Sequence, residues 1–534
     1  MHRKLVWLVC LLCFAPAASL SAAEPSVILR AASLDGLIAD LRHLFQKAGR
    51  EEEGKEFEKA MQARTGPKGL EGVDTQKPFG FSAELKVQLD QSPFMVLLPI
   101  ADESAFLKFV GSLGHQPKKQ ADGSYRVTVE GIPFITQAMF RFAHGYVYAM
   151  LKITDNTQLP AEADLPKPEI ALGKPNASVS LVLNVGEVPP PLRKIAVSML
   201  GLQLGGYKSD MDADPLLDAA IDDATVWMKS LLEEGQRVEL HLGLDTKKEQ
   251  LRLEMTATAR EETALAKDIA ALGALQSPAA SVIQGDAVLR GSTRLIFPNH
   301  VSKTLNTLID KNINDLLDLL QAHERENVEP LAKALMPTFQ AGGVDLAAQM
   351  HGPDKAGRYA VVLGVGVKDG KKLEDAIQTG YKALSDRSRR GLKLDADKVG
   401  TINIHQADQE RIDAKTKQLL GEGPVYFALR DDVLLLAAGA DALATLKQAL
   451  GRKPVVAPPL RVEMGLQALA SLLAVVDPEM KNAPQAAKEA FLEGNNDRVS
   501  LEATGGAKMS LKITLPTAAI AFASALDKAR ASEK

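Results

Sequence analysis

Arg237-Val-Glu-Leu-His-Leu-Gly-Leu244 is followed by a polar turn, by Leu251-Arg-Leu-Glu-Met-Thr256 and by an Ala-rich helix from Glu261. The same succession returns near the end of the chain. There it reads Arg498-Val-Ser-Leu-Glu-Ala503, a Gly505-Gly506 turn, Met509-Ser-Leu-Lys-Ile-Thr-Leu515 and an Ala-rich helix from Thr517. Val238, Leu240, Leu242 and Leu244 alternate with Arg237, Glu239 and His241, and Leu251, Leu253 and Met255 repeat the alternation. A period of two marks antiparallel strands whose faces meet different surroundings. The apolar face, with Leu240 and Leu253 on it, is expected to be buried beneath helices.

Working outward, the match extends to earlier elements. Val96-Leu-Leu-Pro-Ile-Ala-Asp102 and the helix after it correspond to Val361–Val367, Asp369 and a helix carrying Leu373, Ile377 and Leu384. The hairpin Phe134–Phe142, Ala143-His-Gly145, Tyr146–Met150 corresponds to Val425–Leu429, Arg430-Asp-Asp432, Val433–Ala437. Strand Val179–Val185 corresponds to Leu460–Leu466. A period this long predicts two similar domains rather than a solenoid. The reading is a leader at 1–23, a first α+β repeat at 24–278 and a second at 279–534, each a mainly antiparallel sheet with helices on one face. The Pro-rich stretch Thr157–Pro175 reads as a surface connection.

Arg3 and Lys4, the apolar stretch Leu5–Ala18 and Ser21-Ala22-Ala23 have the form of a secretory signal, so the mature chain is expected to be exported, periplasmic or extracellular. Both cysteines, Cys10 and Cys13, lie in that leader. The mature chain then carries no thiolate nucleophile and no Cys-held zinc or iron–sulfur cluster. Loss of Arg3 and Lys4 takes the formal charge from -4 to -6. That balance gives no footprint for nucleic acid, and Arg387-Ser-Arg389-Arg390 reads as a solvated turn. Aromatic residues, at 5%, are too sparse for a stacking platform. No later stretch is long and apolar enough for a spanning helix.

The motifs that suggest chemistry do not complete it. Asp210-Met-Asp212-Ala-Asp214 has the alternating carboxylates of a calcium loop, but Pro215 stands where the turn needs Gly and Ile221 where a bidentate Glu belongs. The acidic run fits a helix entry. Gly364-Val-Gly366-Val-Lys-Asp-Gly370 resembles a phosphate loop, yet its first glycines fall inside the strand, where close packing by a neighbour is the expected cause. His43, His115, His144, His241, His300, His323, His351 and His405 show no metal or metalloprotease spacing, and most lie in polar contexts that predict exposure. No Gly-x-Ser-x-Gly elbow is present. Asn176-Ala-Ser178 satisfies the glycosylation triplet. The sequence therefore assigns no catalytic, cofactor or metal residue.

Phe94–Asp102, Asp122-Gly123, Ala143–Tyr148, Val361–Asp369 and Arg430–Val433 give a layout that resembles uncharacterised exported bacterial proteins with duplicated strand–helix–hairpin units. The resemblance implies an exported protein without an evident catalytic centre, and carries over no functional residue. The expected function is binding or scaffolding with an unknown small ligand or protein partner. A hydrolase with a dispersed His/carboxylate site and a carrier of lipid or other apolar cargo are the alternatives.

Overall fold

The computed structural model describes residues 24–65, 69–88, 92–128, 137–152, 159–210, 215–297, 299–319, 322–384, 389–408, 413–491 and 497–531. The chain divides into two compact units, residues 1–267 and 268–534. The division falls within the helix Ala264–Ala271, ahead of the boundary read from the sequence.

The first unit contains β1 (Val27–Ala31), α1 (Leu34–Lys47), α2 (Glu51–Thr65), β2 (Phe79–Ala83), β3 (Phe94–Pro99), α3 (Glu103–Ser112), β4 (Lys118–Lys119) and β5 (Tyr125–Thr128). It continues with β6 (Gln137–Ala143), β7 (Tyr146–Lys152), α4 (Pro168–Ala171), β8 (Val179–Leu183), α5 (Pro190–Asp210), α6 (Pro215–Glu234), β9 (Gly235–Asp245), β10 (Gln250–Ala259) and α7 (Ala264–Ala271). The strands make one antiparallel sheet in the order β4-β5-β6-β7-β3-β2-β1-β8-β9-β10. Short polar side chains set the helix starts: Ser33 Oγ accepts the Gly36 N–H and Asp102 accepts the Ala105 N–H.

The second unit contains β11 (Leu275–Ser277), β12 (Leu289–Ile296), α8 (Asn299–Leu319), α9 (Ala322–Phe339), β13 (Gly343–His351), β14 (Ala360–Gly366), α10 (Gly370–Ala383), β15 (Leu392–Val399) and β16 (Ile402–Ala407). Then come α11 (Ala414–Leu420), β17 (Val425–Arg430), β18 (Val433–Gly439), α12 (Ala442–Leu450), β19 (Val455–Ala457), β20 (Leu460–Gly465), α13 (Leu466–Val476), α14 (Ala483–Ala490), β21 (Arg498–Thr504), β22 (Met509–Pro516) and α15 (Ala518–Ala531). Apart from the separate pair β11–β19, its strands run antiparallel in the order β15-β16-β17-β18-β14-β13-β12-β20-β21-β22.

Position by position, the two orders are one topology, and the registers align individual residues. Leu29 pairs with Leu181, which pairs with Leu240, which pairs with Met255. In the second unit Gly291 pairs with Val462, Val462 with Leu501 and Leu501 with Ile513. Leu240 and Leu501 thus hold equivalent places, as do the helix caps Asp102 and Asp369, the latter accepting the Lys372 N–H. Residues 129–136, which include the start of the expected strand at Phe134, lie outside the described residues.

In each unit one sheet face is closed by a short segment. In the first, Leu159, Leu165, Ala171 and Leu172 bury Met95, Leu97, Tyr148 and Met150. The Pro-rich stretch is therefore core cover where a surface connection was expected, because its scattered apolar residues are the ones this face requires. In the second, α12 and Ala279–Val282 cover Val362, Ile404, Ala428 and Leu435. Gly364 permits that contact: a Cβ there would lie 2.7 Å from the Ala279 carbonyl oxygen. The opposite faces are closed at one end by α3 over Phe140 and Val147, and by α9 and α10 over Phe427, Leu429 and Leu434.

Candidate functional site

In β1, β8 and β9 the middle of the leucine-bearing face is open, although Val27, Ala83 and Phe94 at its edge are buried. Leu29, Leu181 and Leu240 stand side by side on one face and are 44%, 41% and 39% exposed, with Leu242 beside them at 42%. The row continues on the same face through Phe81, Val96 and Ala149 in one direction and Met255 in the other. The expectation that Leu240 lies buried beneath helices is corrected. Leu253, its equivalent Leu511 and Leu501, the equivalent of Leu240, are only half-buried. The reason is tertiary: α3 reaches only the β5–β7 end of this face, and α1, though amphipathic, buries none of its own residues.

The other face of the same strands buries polar groups. Arg30, Ser180 and His241 are cross-strand neighbours, and all are buried. Arg30 donates to the Leu172 carbonyl, and burial lowers its pKa against the pull of Glu239. His241 Nε2 lies 2.9 Å from Glu239 Oε2, and Nδ1 lies 3.0 Å from Ser180 Oγ. A carboxylate can only accept, so Nε2 carries a ring proton; the Ser180 hydroxyl beside Nδ1 donates to Asn176 Oδ1 at 3.3 Å. Burial pushes the Glu239 carboxyl up, but the hydrogen bonds and charge of His241 and Arg237 outweigh it and hold it below the usual range. Ser180, His241 and Glu239 stand in the spatial order of a Ser-His-carboxylate triad. Ser180, however, is fully buried in mid-strand, so its hydroxyl is closed to any substrate.

A cleft of about 430 Å³ opens beside this network, lined in part by Asn176, Ser178, His241, Asp245, Arg252 and Glu254. Its mixed charges favour no single ligand sign. Near its rim, His43 Nε2 on α1 meets Glu249 Oε2 at 3.0 Å, and Lys47 meets the same oxygen at 3.2 Å.

His241 and His405 are buried where exposure was expected, because each fills a position in a sheet row rather than a turn. Asp210 ends α5, and 211–214 lie outside the described residues, as do 1–23. Among the described residues, Glu374, Asp395 and His405 form the cluster with metal-ligand spacing, which sequence spacing could not show because they come from different elements. No described helix is long and apolar enough to cross a membrane. No protein-family model, curated protein or solved structure matches the chain.

Proposed function

We propose that this is an exported, non-enzymatic binding protein, built from two copies of one ancestral unit, and that its cargo is apolar. The open leucine row carries the reading: the sheet buries Arg30, Ser180 and His241 while Leu29, Leu181, Leu240 and Leu242 stay partly exposed, an aliphatic surface that suits an apolar ligand. The open residues are aliphatic. They lack the aromatic rings that bind sugars or bases by stacking and the Trp, Tyr and Arg anchors typical of protein interfaces. Aliphatic lipid chains suit such a face. The leader motivates export, and the shared strand order supports duplication. A hydrolase built on Ser180, His241 and Glu239 would need access to the Ser180 hydroxyl, which the sheet denies.

The test is to purify the protein without detergent, extract it and look for bound lipid by mass spectrometry, alongside titration with a fluorescent fatty acid. Co-purifying lipid or saturable probe binding is expected. Absence of both would end the apolar-cargo reading.

A further inference from the structure

His405 on β16 is wholly buried, its ring centred 4.9 Å from that of Phe427. The neighbouring strand bulges opposite it: pairing jumps from Lys393↔Gln406 to Asp397↔Ile404, and Asp395 inside the bulge takes φ +50°. Asp395 donates its backbone N–H to His405 Nδ1 at 3.2 Å, so the neutral ring carries its proton on Nε2. Nε2 has no hydrogen-bond partner. Glu374 Oε1 stands 3.6 Å from it, and Asp395 Oδ1 stands 3.8 Å from Nδ1. Asn403 Nδ2 holds the same Glu374 oxygen at 3.2 Å. One donor atom from each of the three residues lies within 4.8 Å of the others.

The first unit shows that the fold does not need these groups. The registers place Tyr125 where His405 stands, since Tyr125 pairs with Phe140 as His405 pairs with Phe427. Counting from the caps Asp102 and Asp369 places Leu107 where Glu374 stands. Tyr125 stacks on Phe140 at 5.2 Å, and Leu107 packs against the same cluster. An apolar pair in one unit is thus an imidazole and a carboxylate in the other, with a buried N–H left unmatched at a cost of about 1–3 kcal/mol.

We propose that His405 and Asp395 bind a divalent transition cation such as Zn²⁺, with Glu374 orienting the imidazole, a role independent of the apolar face. Imidazole nitrogen with carboxylate oxygen is the donor set this class prefers. The ion enters on the Asp395 side, where that side chain is 56% exposed. It takes the Nδ1 lone pair in place of the Asp395 N–H, with the Asp395 carboxylate as second ligand and water completing the shell. Nε2 keeps its proton and turns it to Glu374, the carboxylate–imidazole–metal chain that orients ligating histidines.

The experiment is calorimetric titration of chelator-treated mature protein with Zn²⁺, with melting followed in parallel. One ion per chain and a raised Tm are expected. Asp395→Asn should weaken binding at least roughly tenfold, and Glu374→Gln by about 10–100-fold. The double variant His405→Tyr with Glu374→Leu, which restores the pairing of the first unit, should fold, lose the ion and melt no lower than the metal-free protein. Absence of a stoichiometric ion overturns the proposal. So does binding that is unchanged in Asp395→Asn and in the double variant, which would place the ion elsewhere, for instance at His43 and Glu249.

Discussion

Replacing Leu181 and Leu240 together by Thr tests the open face directly. Complete burial of a leucine is worth about 1.5–3 kcal/mol. These side chains are 41% and 39% exposed, so a cargo that covers them recovers about 0.6–1.2 kcal/mol from each. Losing both terms weakens binding by roughly 8–60-fold. The buried remainder of each side chain supports the sheet, so stability should also fall, by about 1–2 kcal/mol per site, while β-branched Thr keeps the strand. The companion Leu181→Ile with Leu240→Ile preserves apolar area and should bind nearly as the parent does. Fluorescent fatty-acid titration gives the affinities, and urea melts confirm that each variant is folded at the assay temperature. Thr variants that bind as tightly as the parent, or Ile variants that lose as much as the Thr ones, would refute the assignment of this face.

Burial lowers the His405 pKa below its ordinary 6.5, against the opposing pull of Glu374 and Asp395. The unfolded chain therefore takes up the proton first. The corresponding stability should be complete above about pH 6.5 and decline as pH falls toward the native value; urea melts from pH 8 to 5 should show a flatter profile in His405→Tyr. Leu446→Ala, which empties a fully buried site on α12, should cost about 2–5 kcal/mol in denaturant unfolding. Gly364→Val should cost about 1–3 kcal/mol by driving its side chain against Ala279, and an unchanged urea midpoint would show that this contact is looser than described.

Much of the architecture was legible because it rests on local periodicity. The alternation in 237–257 and 498–515 specified paired antiparallel strands, and Asp102 and Asp369, each ahead of an amphipathic stretch, marked helix starts that the backbone adopts. The glycines of 364–370 read as close packing rather than a phosphate loop, and Gly364 lies against Ala279. Which face of a strand is buried is not a local property. Alternation separates Leu240 from His241 but cannot say where helices will lie, and the chain left the leucines open while sealing the histidine into a hydrogen-bonded row.

By itself, then, the sequence determined the α+β class and the antiparallel character of the strands it marked, because each depends on spacing within a few residues. Only the tertiary structure decided what those elements juxtapose. Glu374, Asp395 and His405 come from a helix, a bulge and a strand, and no spacing rule joins them. The aliphatic row Leu29–Leu181–Leu240 is assembled from strands far apart in the chain, and its partial exposure is set by where the described helices pack.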